Sequence, residues 1–143
     1  MKKLNCILLI DDDEGTNFLN KFIIEKTGIA EKVDTVYNGK EALEYLTNTG
    51  KYAERGTFYS QPALIILDIN MPIMDGWEFI NAYNKLEDNQ KGKIIIVMLS
   101  TSENPDDIER AQKLTSISEF RNKPLTIEII EELFQKYFPE YIN

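Results

Sequence analysis

The sequence contains no histidine and only one cysteine, Cys6. The first absence excludes serine–histidine and cysteine–histidine catalysis and any histidine metal site. It also means that the chain cannot carry its own phosphohistidine. The second excludes an internal disulfide, and Cys6, set in an apolar run, reads as a buried thiol in a reducing compartment. No apolar stretch approaches the roughly 20 residues that span a bilayer. The run after the N-terminal lysines is too short for a signal peptide. Positive charge is also scarce: 16 Lys and Arg stand against 24 Asp and Glu, a formal net charge of -8. An acidic surface repels phosphate backbones and anionic headgroups, so neither nucleic acid nor membrane is an expected partner. The expected location is the cytoplasm. Any chemistry must come from carboxylates, hydroxyls, lysine and a hard metal ion.

The chain has 143 residues, 43% of them hydrophobic and 28% charged. That mix suits one compact domain spanning 1–143. Short, continuously apolar runs alternate with helical patterns. Cys6–Ile10, Ala63–Leu67 and Ile94–Leu99 read as strands buried on both faces. Lys32–Tyr37 alternates and is rich in β-branched residues, and Ser118–Asn122 reads as a weak fifth strand. Between them lie helical patterns: Phe18, Leu19, Phe22 and Ile23 before the stop at Gly28; Ala42, Leu43 and Leu46 after the cap Asn38; Phe79, Ile80 and Tyr83. Asn104 and Pro105 open a fourth helix, and Ile127, Ile130, Leu133, Phe134 and Tyr137 line one face of a fifth. Thr47–Pro62 reads as a long polar loop that extends the second helix in part. Five β-α units imply an α/β fold: a doubly wound parallel sheet with helices on both faces.

In such sheets, sites form beyond the carboxyl ends of the strands. The first strand delivers Asp11, Asp12 and Asp13 there, the third Asp68, the fourth Ser100 and the fifth Lys123. In the strand order 2-1-3-4-5, strands one and three are central neighbours, so Asp11, Asp12 and Asp68 would share a crevice. Clustered carboxylates raise one another's pKa unless a cation compensates. Magnesium fits, because it takes oxygen ligands, keeps waters and binds phosphate. A magnesium ion, a free carboxylate, a hydroxyl and a lysine suit the charges of a transferring phosphoryl group, with the carboxylate as nucleophile. Asp13 reads instead as a helix cap, Asp75–Gly76 as turn chemistry and Trp77 as packing.

The segments ILLIDDDE (7–14), LIILDINMPIMDGWEF (64–79), VMLSTSENPDDIERA (97–111) and EFRNKPL (119–125) resemble the receiver domain of two-component response regulators. The resemblance runs from about Asn5 to Tyr137, and its joint motif spacing is specific. It implies a flavodoxin-like, five-stranded parallel sheet in the order 2-1-3-4-5. It also implies roles: Asp68 as phosphoacceptor, Asp12 as a direct magnesium ligand, Asp11 holding metal-bound water, and the backbone carbonyl of Asn70 completing the protein ligands. Lys123 would pair with Asp68 and then with the phosphoryl oxygens. Ser100 would move to bond the phosphoryl group, and Phe120 would turn inward in response. Asn70 and Ser102 occupy positions that tune hydrolysis. The Lys123–Pro124 bond is often cis in this family, in line with the low cost of cis before proline. Ser100 stands where threonine is commoner, and Phe120 where tyrosine is. The 47–62 segment and SENPDD resemble stand-alone receivers, some of which partner bacteriophytochrome kinases.

The function so implied is a phosphorylation switch. A separate histidine kinase or phosphotransfer protein would supply the phosphoryl group. The signal would leave through the fourth helix, fifth strand and fifth helix, Asn104 to Phe138, toward a downstream protein target or a second copy. Two other functions compete: a magnesium-dependent phosphatase or phosphotransferase for small molecules, and a receiver-like scaffold that takes no phosphate.

Overall fold

The computed structural model describes residues 2–55, 61–91, 94–101 and 104–141. Ser102 and residues 56–60 of the 47–62 segment lie outside the described residues. Five parallel strands form one sheet: β1 (Ile7–Ile10), β2 (Val33–Val36), β3 (Leu64–Leu67), β4 (Ile95–Ser100) and β5 (Glu119–Asn122). Their spatial order is β2-β1-β3-β4-β5. Five helices connect and cover them: α1 (Glu14–Thr27), α2 (Gly39–Thr47), α3 (Gly76–Tyr83), α4 (Pro105–Lys113) and α5 (Ile127–Tyr137). A single helical turn, Asp88–Lys91, precedes β4, and a 3-10 segment, Gly50–Arg55, follows α2. The fold is therefore the doubly wound, flavodoxin-like sheet that the sequence implies.

Strands β1 and β3 are buried along their whole length because both sheet faces are covered. Leu8, Ile10, Ile65, Leu67, Ile96 and Met98 pack with Ala42, Leu46, Phe79, Ile80 and Ala111 of α2, α3 and α4. On the other face Ile7, Leu9, Leu64, Ile66, Val97 and Leu99 pack with Ile24 of α1 and Ile130, Leu133 and Phe134 of α5. By contrast, β5 is an edge strand whose residues are half-buried or exposed, which is why its sequence signal is weak.

The helix starts are set by short polar side chains. Asp13, Asn38 and Asn104 each accept a backbone hydrogen bond as N-caps of α1, α2 and α4, and Asp75 forms a capping box with Glu78 at α3. Gly28 ends α1 in the left-handed region at φ 69°. Pro105 occupies the first turn of α4. The start of the 47–62 segment folds back on α2: the Tyr52 ring meets Tyr45 edge-on, and its hydroxyl donates to Glu41.

One helix departs from its pattern. The apolar spacing locates α1, but the residues that carry it do not form its inner face. Phe18, Leu19 and Phe22 are 74%, 53% and 49% exposed, whereas Asn17, Asn20 and Ile24 face the sheet.

Candidate functional site

The register of the sheet builds the site. Ile10 lies beside both Val36 and Leu67, and Leu67 lies beside Met98. Asp11 and Asp68 each follow one of these paired residues, so they leave adjacent strands at the same level. The backbone continues the ladder one step further, with Asp68 N donating to Ile10 O at 2.9 Å and Asp11 N to Val36 O at 3.2 Å. At the far edge Ser100 lies beside Asn122, and Lys123 N donates to Ser100 O at 2.8 Å. This pairing brings the fifth-strand lysine back toward the acids. The Lys123–Pro124 peptide is cis.

Asp11, Asp12 and Asp68 each offer a carboxylate oxygen to a group whose members lie within 4.8 Å of one another. Asp11 and Asp68 are buried and Asp12 is exposed, so the cluster opens to solvent on one side. Lys123 Nζ lies 2.7 Å from Asp11 Oδ2 and 3.4 Å from Asp68 Oδ1. The resemblance implies that Lys123 pairs with Asp68; here it bridges both acids, and its shorter bond is to Asp11. Asp11 Oδ1 also accepts from the backbone N–H of Asp13 at 2.9 Å. Burial works against the Lys123 charge, but the bond to Asp11 and the charge of Asp68 outweigh it and raise the lysine's pKa. Asp68 is pushed up to about 6, first by burial and then by the charge of Asp11, against the pull of Lys123.

Gly76 is held close to Asp68: a Cβ there would meet Asp68 O at 2.6 Å and Ile69 Cα at 2.9 Å. Before it the chain makes a tight three-residue turn, with Met74 N donating to Pro72 O at 2.7 Å and Ile73 at φ 69°. Ser100 is fully buried at the end of β4, Phe120 is half-buried on β5, and Asn70 is exposed two residues after Asp68. Asp13 caps α1 through Thr16, and those bonds hold its carboxyl below the usual range. Asp75 is the α3 cap and Trp77 is packed, its ring under the Arg110 guanidinium at 4.5 Å. Sequence reasoning missed two contributors. Gly76 was readable as a turn glycine, without its approach to Asp68. Asn17 donates to the Asp11 carbonyl at 2.8 Å, and its only signal is a polar residue at a helix phase where an aliphatic one is expected.

The three carboxylates are hard oxygen donors with one cation among them, a set that fits a divalent metal. A family model of the response regulator receiver domain matches residues 7–135. The chain belongs to that family. Its fold and acid cluster are those of a phosphoryl-accepting signalling switch, a signalling domain rather than a conventional enzyme. A two-component response regulator from Cytophaga hutchinsonii superposes with a TM-score of 0.81 at 35% identity, covering 94% of this chain and 97% of that one. The phosphorylated cyanobacterial phytochrome response regulator RcpA does so with a TM-score of 0.75 at 29% identity, covering 93% and 94%. Sporulation initiation phosphotransferase F of Bacillus subtilis is 28% identical over 133 residues, 93% of each chain. Receiver domains take their phosphoryl group from histidine kinases or phosphotransfer proteins, and they bind divalent metal. Among the described residues no helix is long and apolar enough to cross a membrane.

Proposed function

We propose that this single receiver domain takes the phosphoryl group on Asp68 with magnesium, from a histidine kinase or phosphotransfer protein in the cytoplasm. The observation that carries the assignment is the register that sets Asp68 beside Asp11, with Lys123 in reach of both. A carboxylate oxygen of Asp68 attacks the phosphorus, the P–N bond to the donor's histidine breaks, and the histidine leaves to take up a proton. Bound magnesium supplies charge neutralisation for the phosphoryl oxygens. Asp12 and Asp68, with the Asn70 carbonyl, would hold the ion directly, and Asp11 would support it through water. Lys123 exchanges its contact with Asp68 for a phosphoryl oxygen. Ser100 donates its hydroxyl to another, and Asn70 and Ser102 set the hydrolysis rate. The same groups support autophosphorylation from small donors and autodephosphorylation. A small-molecule phosphatase is not favoured: the groove of about 390 Å³ between α1 and α5 lies away from the acids.

The output surface is α4, β5 and α5. A groove of about 230 Å³ lined by Ala111, Ile117 and Phe120 gives the Phe120 ring room to turn when Ser100 moves. The occupant of this face in the phosphorylated state is a downstream target or a second copy. The exposed apolar face of α1, which starts beside Asp12, suits the docking of the donor protein.

The deciding experiment is intact mass after incubation with a small phosphodonor and magnesium. A magnesium-dependent gain of one phosphoryl group in the wild type, absent in Asp68→Asn, is the expected result. A gain retained in Asp68→Asn refutes the residue. Absence of any gain, with the donor protein as well as the small donor, supports the scaffold reading.

A further inference from the structure

The inner face of α1 breaks the rule that a helix packed on a sheet buries aliphatic side chains. It turns Asn17 and Asn20 inward, 1% and 6% exposed. A buried polar atom left unpaired loses its hydration with nothing in return, so such residues need a reason. Half of Asn17 has one: its Nδ2 donates to the main-chain oxygens of Asp11 at 2.8 Å and Val36 at 3.2 Å, tying the ends of β1 and β2 to α1. The other half does not, because Asn17 Oδ1 is buried without a hydrogen-bond partner. Asn17 and Asn20 line a small cavity together with Asp11 and Asp68, walled by Leu9 and Ile66. The cavity gives about 10 Å³ to the centre of a water molecule. That is about the minimum for one water, which also needs two to four polar partners.

We propose that Asn17 and Asn20 hold one buried water beneath Asp11 and Asp68, and that this support positions the two carboxylates for the divalent ion. The hydrogen bonds balance. Asn17 Oδ1 can only accept, so the water donates one hydrogen to it. The second hydrogen goes to a carboxylate oxygen of Asp68 or Asp11, and the Asn20 amide donates to the water's lone pair. Asn17 thus grips Asp11 from the main chain and steadies the carboxylates through the water. Both asparagines are positioning residues that touch neither ion nor phosphoryl group. The inference rests on the acid cluster being the metal site of the proposed function.

The test combines a crystal structure of the wild type with Mn2+ binding measured by electron paramagnetic resonance, and uses no phosphodonor. One ordered water on Asn17 Oδ1 is expected. Asn20→Leu places a better helix former against Leu9 and Ile66, so it should melt no lower than the wild type. It should nevertheless bind Mn2+ roughly 10- to 100-fold more weakly, the range seen when outer-shell partners of metal ligands are lost. Asn20→Ser, which keeps a hydroxyl for the water, should recover most of that affinity. A dry cavity, or Asn20→Leu binding Mn2+ as the wild type does, overturns the proposal. If leucine does not fit, Asn20→Ala takes its place, and wild-type Mn2+ affinity in that variant overturns the proposal equally. A wild type that binds Mn2+ but gains no phosphoryl group refutes the phosphoacceptor reading and leaves this inference standing.

Discussion

Removing the charge of Asp68 should stabilise the metal-free protein at neutral pH. Its pKa rises from 3.8 in an open chain to about 6 in the fold. For a carboxyl raised in this way, the stabilising contribution is complete below pH 3.8 and is lost as the pH climbs through about 6. Above that, holding the ionised group in place costs about 3 kcal/mol, at roughly 1.4 kcal/mol per pH unit of displacement. The side chain is only 9% exposed, so solvent screens little of this. In Asp68→Asn the penalty disappears while Lys123 keeps its 2.7 Å bond to Asp11. For a chain of this size the gain corresponds to a rise in Tm of roughly 6–10 °C at pH 7.5 with chelator. The absence of histidine makes the assay clean, because no imidazole titrates between pH 5 and 8. Melting curves of both proteins by circular dichroism should show the gap falling to about half by pH 5. Magnesium at pH 7.5 should narrow it too, since the ion binds the folded wild type more tightly. An asparagine variant that melts at or below the wild type at pH 7.5, or a gap that does not shrink toward pH 5, would refute the reasoning.

Lys123→Met leaves Asp11 and Asp68 buried without their shared cation, and should destabilise by roughly 3 kcal/mol in urea at neutral pH; divalent metal should restore part of this. Gly76→Ala drives a Cβ into the backbone at Asp68 and Ile69, with an expected loss of about 1–3 kcal/mol by the same measurement. Ile73→Gly should raise stability by about 1 kcal/mol, because a β-branched residue at φ 69° is strained and this one, 75% exposed, buries little. Burial works against the Glu119 charge, but hydrogen bonds from Lys136, Arg121 and Tyr137 hold its pKa at about 2. Its contribution is therefore present above pH 4.5 and lost as the pH falls through about 2, and acid titrations of Glu119→Gln should lack that loss.

Much of this was legible in the chain itself, for identifiable reasons. The central strands are buried on both sides, so they are written as unbroken apolar runs. Each ends in a charged or hydroxyl residue because its carboxyl end borders the buried polar site rather than the apolar core. Asp13, Asn38 and Asn104 announce helix starts because a short oxygen-bearing side chain is what a free backbone N–H needs there. The face of α1 was not legible. Spacing reports that apolar residues recur at the helical period, but not whether the sheet or a partner protein covers them. The shared grip of Lys123 on Asp11 was hidden as well, because 112 residues separate the two and only the sheet register brings them together.

Several deviations from ordinary folding rules lie at one end of the sheet. Two buried carboxylates, two asparagines turned inward, a β-branched residue at positive φ and a glycine pressed on the backbone of Asp68 all lie around the carboxyl ends of β1 and β3. Each is unfavourable for a protein that only has to fold, by about 1–3 kcal/mol in the unpaired or strained cases. A protein under selection for stability alone would place aliphatic side chains on the inner face of α1 and asparagine or glycine at position 73. Their joint location gives a physical reason to treat the region as one device. On the proposed function, negative charge is held there ready for a cation that relieves the repulsion on arrival and so offsets the added charge of a phosphoryl group. Ser100 and Phe120 lie on the next two strands toward the β5 edge, where the switch we propose would carry the change outward.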